Sequence, residues 1–210
     1  MSHCLIPVNG ITVVGDLEVP GHSTALIVFV HGSGSSRLSP RNQQVARTLR
    51  EAGFATLLFD LLTPEEAERQ ELVFDINLLL QRMRSVLTWV RTQPLVAEMP
   101  VGLFGASTGA AAALLAAAEP KLRIGAVVCR GGRPDLVLPS IPKVTAPTLL
   151  LVGELDDVVL DLNQRAAKFL TCTHEIRVIS GAGHLFEEPG AMEEVAWAAT
   201  KWFEGYLKSP

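Results

Sequence analysis

Cysteine is scarce in this 210-residue chain. The three present, Cys4, Cys129 and Cys172, are odd in number and show no C-x-x-C spacing, which argues against a disulfide framework or a thiolate zinc site. Excess basic charge is also missing. Eighteen Lys and Arg stand against 22 Asp and Glu, the net charge is −4, and no basic run exists, so neither nucleic acid nor a membrane is expected as a partner. The alanine- and leucine-rich stretch Ala110 to Ala118 is far too short to cross a bilayer. Met1-Ser2-His3-Cys4-Leu5 does not begin a basic-then-apolar leader, so a cytoplasmic location is the expectation. No repeat or low-complexity linker divides residues 1–210, which are read as one domain. Its 48% apolar and 19% charged residues suit a core that needs no metal staple.

What is there is an alternation of short apolar runs with helical patterns. Leu5 to Val8 and Ile11 to Val19 flank Asn9-Gly10, a hairpin signal. Ala25 to Val30 is apolar throughout, as in a strand buried on both faces. A helix is expected from about Pro40 to Ala52, stopped by Gly53, then a strand over Phe54 to Phe59 and a helix over Asp75 to Val90. Strand Val101 to Phe104 precedes a small-residue helix from Ser107 to Ala118. Strands Ala126 to Cys129, Thr148 to Val152 and Glu175 to Ile179 follow, with helices near Leu160 to Leu170 and Pro189 to Leu207. This order predicts an α/β fold: a mostly parallel twisted sheet, an antiparallel N-terminal hairpin and helices on both faces. Leu61 to Glu71 is polar and reads as a solvated loop or short exposed helix, the alternative being a flap over the site.

In such sheets chemistry collects beyond the carboxyl ends of the strands. Gly105-Ala106-Ser107-Thr108-Gly109 fits G-x-S-x-G between a buried strand and a helix, a turn that lifts a serine hydroxyl clear of the backbone. A serine needs a base, and the base an orienting acid, in the order Ser, Asp or Glu, His. His184 follows its own strand through Ser180-Gly181-Ala182-Gly183, whereas His174 precedes that strand and lies at the wrong edge. Three acids follow Gly153. Glu154 is too near the turn, Asp156 matches Gly-x-x-Asp-x-x-Val, and Asp157 is the runner-up, expected to cap the next helix. The backbone N–H groups of Thr108 and Ser33 are the expected oxyanion donors, with His31 a packing residue. Arg37, Arg41, Arg130 and Arg133 fall in or near strand-end loops. Arg37 and Arg133 are expected to contact an anionic substrate, unless they are solvated or pair with Asp135 and the glutamates.

These segments, His31 to Ser36, Gly105 to Gly109, Gly153 to Val159 and Gly183 to Gly190, resemble the small α/β hydrolases of the dienelactone hydrolase-like group along nearly the whole chain. The resemblance implies an α/β-hydrolase fold and a Ser107–Asp156–His184 triad, with no cofactor and no metal. Dienelactone hydrolases carry a cysteine nucleophile where position 107 is serine, a departure that favours a general carboxylesterase. Many relatives insert a helical cap where this chain has only the eighteen residues between Cys129 and Thr148, so an open site without a cap is expected. Small or exposed esters or thioesters are the expected substrates. Acyl transfer to another acceptor uses the same residues, and a non-catalytic binding domain is the remaining class.

Overall fold

A computed structural model describes residues 2–208. Its framework is one eight-stranded sheet: β1 (Ser2–Val8), β2 (Ile11–Glu18), β3 (Leu26–Val30), β4 (Ala55–Phe59), β5 (Val101–Ala106), β6 (Ile124–Arg130), β7 (Thr148–Gly153) and β8 (His174–Ile179). The spatial order is β1-β2-β4-β3-β5-β6-β7-β8. β1 and β2 are antiparallel, β2 runs antiparallel to β4, and the rest are parallel. Asn9 and Gly10 both hold positive φ, 46° and 85°, as a two-residue turn matched to strand twist requires. This is the α/β-hydrolase fold, and among the described residues no cap domain interrupts it. The link from β6 to β7 is only a 3-10 segment, Pro134–Lys143.

The helices are α1 (Pro40–Glu51), α2 (Pro64–Ala67), α3 (Gln70–Val73), α4 (Ile76–Val90), α5 (Thr108–Ala117), α6 (Asp157–Ala167) and α7 (Ala191–Leu207). Their starts follow from side-chain chemistry. Ser39 and Asp75 accept from the N–H groups of Asn42 and Leu78, and Pro40 occupies the first position of α1. The strands serve two cores by strict alternation. Leu26, Val28 and Val30 pack with α4 and α5, whereas Ile27 and Phe29 pack with α1 and α7. Helix α5 is crowded all round, and nearly every residue in it is buried, so its alanines and lack of amphipathy follow from position.

The polar Leu61 to Glu71 stretch takes the short exposed helical form expected of it. It forms α2 and the start of α3, and Glu66 anchors it to the buried Arg82 of α4 at 2.6 Å. Two helix starts differ from expectation. Asp156, not Asp157, is the N-cap of α6, and Asp157 is its first residue. Helix α7 begins at Ala191 because Gly190 turns with φ 84°.

Candidate active site

Ser107 occupies the turn between β5 and α5 with φ 50° and ψ −121°, a conformation side-chain-bearing residues rarely adopt. The flanking glycines permit it. A β-carbon at Gly105 would lie 2.6 Å from Ala110 Cα, and one at Gly109 would overlap the carbonyl oxygens of Val30 and His31. The turn is held by Ser107 N–H donating to Arg130 O at 3.1 Å and by Arg133 N–H donating to Ser107 O at 3.2 Å. Thr108 opens α5, where its N–H has no partner within the helix and the positive helix end faces the site.

His184 reaches this place from the loop after β8. Its Nδ1 lies 2.6 Å from Asp156 Oδ2, so the histidine's partner is Asp156 and not Asp157. As the N-cap of α6, Asp156 makes no capping bond, which leaves its carboxylate for the imidazole. Gly131 lies against the histidine. A β-carbon there would sit 3.4 Å from His184 Cε1, and Gly131 directly follows the residue whose carbonyl holds Ser107. No Ser107–His184 hydrogen bond is formed among the described residues.

Neighbouring carboxylates hold the loops. Glu154 accepts from Ser180 Oγ at 2.8 Å and Gly181 N–H at 2.7 Å, and the Gly181 bond foremost lowers its pKa. Glu188 accepts from Gly183 N–H at 3.0 Å, just before His184. His31 is buried between two backbone partners: Nδ1 lies 2.9 Å from Gly32 O, and Nε2 accepts from Leu61 N–H at 3.0 Å. Those contacts require the neutral ring with its proton on Nδ1. Burial lowers its pKa and keeps it neutral. The thiol of Cys129, fully buried in β6, is pushed up to about 12 and is no competing nucleophile.

Three expected donors already have partners within the chain, and for Arg133 the partner is the Asp135 expected as the alternative to a substrate. The Ser33 N–H donates to Thr108 Oγ1 at 2.9 Å, so it is not free for an oxyanion while that hydroxyl faces it. The guanidinium of Arg37 pairs with Asp60 at 2.5 Å and with Asp16 at 3.4 Å. That of Arg133 forms two bonds to Asp135, at 2.8 and 2.7 Å. Carboxylates of the chain already take the donors that were expected to meet substrate. The Thr108 hydroxyl and the His31–Leu61 staple had no sequence signal, because each joins loops 30 or more residues apart.

A cleft of about 730 Å³ runs beside this centre, lined among others by Ser33, Arg41, Leu62, Val73 and Thr108. Ser107 and His184 are not among its lining residues, so it abuts the serine from the Thr108 side. Among the described residues no cluster of three or more His, Cys, Asp or Glu could hold a metal ion, and no helix is long and apolar enough to span a membrane.

Comparison with known proteins bears on the family and the fold. A Mycobacterium tuberculosis protein named "Putative phosphoribosyl transferase" is 56% identical over 200 residues, covering 95% of this chain but 45% of that protein. The chain thus spans less than half the length of that relative. A dienelactone hydrolase structure from Anabaena variabilis superposes with a TM-score of 0.95 at 47% identity, covering 99% of this chain and 98% of that one. Est1E from Butyrivibrio proteoclasticus shares the fold, with a TM-score of 0.84 at 18% identity over 98% of each chain. The dienelactone hydrolase family matches residues 14–208, and the chain belongs to that family.

Proposed function

We propose that this hydrolase cleaves carboxylic esters, lactones and thioesters included, through an acyl-enzyme on Ser107. The observation that carries the reading is the 2.6 Å Asp156–His184 pair set across Gly131 from the strained serine turn. In this reading Ser107 Oγ attacks the carbonyl carbon as His184 Nε2 takes its proton. Asp156 holds Nδ1–H and stabilises the imidazolium. The proton passes to the leaving alcohol or thiol, and water then attacks the acyl-enzyme by the same route in reverse. Thr108 N–H faces the developing oxyanion, and Ser33 N–H joins it when the Thr108 hydroxyl rotates away. Leu155 and Leu185, the neighbours of Asp156 and His184, are 67% and 45% exposed and offer an apolar rim for an acyl or alcohol group.

Two relatives' names support the ester class: the dienelactone hydrolase of Anabaena variabilis, and a Bradyrhizobium protein named as a 2-oxo-3-(5-oxofuran-2-ylidene)propanoate lactonase, 27% identical over 194 residues. A lactone is a cyclic ester. The transferase name of the Mycobacterium relative belongs to a protein more than twice as long as the part shared here, so we read hydrolase chemistry into the shared part.

Fluorophosphonate labelling beside an ester panel tests the reading. Ser107→Ala should lose all labelling and at least ~10³-fold in kcat, and Asp156→Asn about 10⁴-fold, whereas Asp157→Asn should stay near wild type. Labelling that persists in Ser107→Ala, or no activity on any ester, lactone or thioester, overturns it.

A further inference from the structure

Of the four arginines singled out at the carboxyl edge of the sheet, three have carboxylates in contact: Arg37 with Asp60, Arg133 with Asp135, and Arg41 with Glu187 at 3.1 Å. Arg130 has none. It closes β6 on the face that Ala126 and Val128 give to α1 and α7, and it is only 8% exposed. Its Nε is buried without an acceptor. Its guanidinium lies 5.6 Å from the centre of the buried Phe186 ring, two residues beyond His184. That contact offsets part of the cost of burial yet satisfies no N–H.

The nearby charge that acts on Arg130 is a second cation. Burial first, and then Arg41, lower its pKa to about 10. The Nε of Arg41 is likewise buried without an acceptor, and its one ion pair is to Glu187, which is 66% exposed. An exposed pair of that kind is weak and easily exchanged. Arg41 is also the second residue of α1, where the helix presents its positive end. Buried cations in proteins are ordinarily paired, and guanidinium forks fit the oxygens of carboxylates and phosphates. Arg130 thus has no anion in contact, Arg41 has only an exposed one, and each keeps a buried Nε donor unfilled.

We infer that Arg130 and Arg41 hold a small oxyanion, a carboxylate or phosphate group, between the first turn of α1 and the His184–Glu188 loop. The site adjoins the serine turn, since the Arg130 carbonyl holds Ser107 N–H, and Arg41 also lines the cleft. The anion is therefore either free in solution or the charged end of a substrate. Binding itself requires no catalytic step.

Inorganic phosphate is the first probe, with thermal unfolding followed at constant ionic strength. At tenfold above its Kd, phosphate should raise the wild-type midpoint by roughly 3–6 °C. Arg130→Met and Arg41→Gln should each weaken the effect at least tenfold. Should Arg130→Met fail to fold, Arg41→Gln decides alone, because its site on the first turn of α1 is partly exposed. A wild-type midpoint that phosphate does not move, or a shift that the variants keep, overturns the inference. Acetate in place of phosphate shows whether one charge suffices. With a carboxylate-bearing aryl ester as substrate, p-nitrophenyl hydrogen succinate, phosphate that raises KM at constant kcat places the anion site under the substrate's charged end; unchanged kinetics place it beside the substrate as a free-ion site. If no ester is hydrolysed at all, the midpoint shift still decides for or against the anion site.

Discussion

At the scale of single residues, the histidines divide the work by environment. His184 is partly exposed and bonded to a carboxylate, while His31 is buried and bonded to backbone on both sides. His31 therefore carries a pH signature. Burial, the largest influence on it, holds its native pKa below the ordinary value, so the native state resists a proton that the unfolded chain accepts. The stability this neutral ring contributes is full above the ordinary histidine pKa of about 6.5 and is lost as pH falls below it. His31→Gln removes that step. Urea unfolding at pH 7.5 and pH 5 should show a smaller drop in stability for the variant than for wild type. Equal drops would mean that His31 titrates alike in both states.

At the scale of elements, α2 and α3 form a wall of the cleft, supplying Pro64, Ala67 and Val73. What holds them is Glu66. One of its oxygens accepts from Thr63 N–H at 3.0 Å in a capping box, and the other takes the Arg82 guanidinium. Arg82 is 4% exposed, so Glu66→Ala strands a buried charge. With Glu66 itself 22% exposed on its side chain, the cost should fall near the low end for such pairs, about 3 kcal/mol. Adding Arg82→Met should restore much of it, and amide exchange over residues 61–75 should quicken in the single variant. A cost below about 1 kcal/mol would show that the wall stands without this pair. The contrast between this segment and the proposed triad explains what the sequence makes legible. Strand-end positions of Ser107, Asp156 and His184 follow from local motif and chain order, and the hairpin from Asn9-Gly10. The Glu66–Arg82 anchor, the Thr108–Ser33 bond and the pairing of Arg37 with Asp16 and Asp60 join distant segments that no local pattern links. The two readings of each arginine stay open in the sequence for the same reason, because a strand-end arginine looks alike whether its carboxylate belongs to a substrate or to the chain. Helix α6 begins three residues earlier than its apolar pattern suggests, since Asp156 and Asp157 start it with polar residues.

At the scale of the whole molecule, the sheet ties two cores into one structure. The cluster under α4 and α5 and the cluster under α1 and α7 draw alternate residues from the same strands: Val28 and Phe29, Leu103 and Phe104, Val127 and Val128. A strand cannot leave one core without leaving the other. Chains of this length often populate folding intermediates, so cooperative loss of both cores is a specific expectation rather than a default. The three tryptophans can report on it, as Trp89 packs on the first core and Trp202 on the second, with Trp197 on the same helix as Trp202. Fluorescence of Trp197→Phe/Trp202→Phe follows the α4 face alone, and that of Trp89→Phe follows the α7 face. Once each variant's own stability change is measured by circular dichroism, the fluorescence and circular dichroism transitions should coincide within each variant. A fluorescence transition in either variant that precedes loss of the sheet signal would mean that one face opens first. The sheet would then be a scaffold between two separable layers. Coincidence means instead that the serine turn, set in place by β5 between the two cores, persists for as long as the fold does.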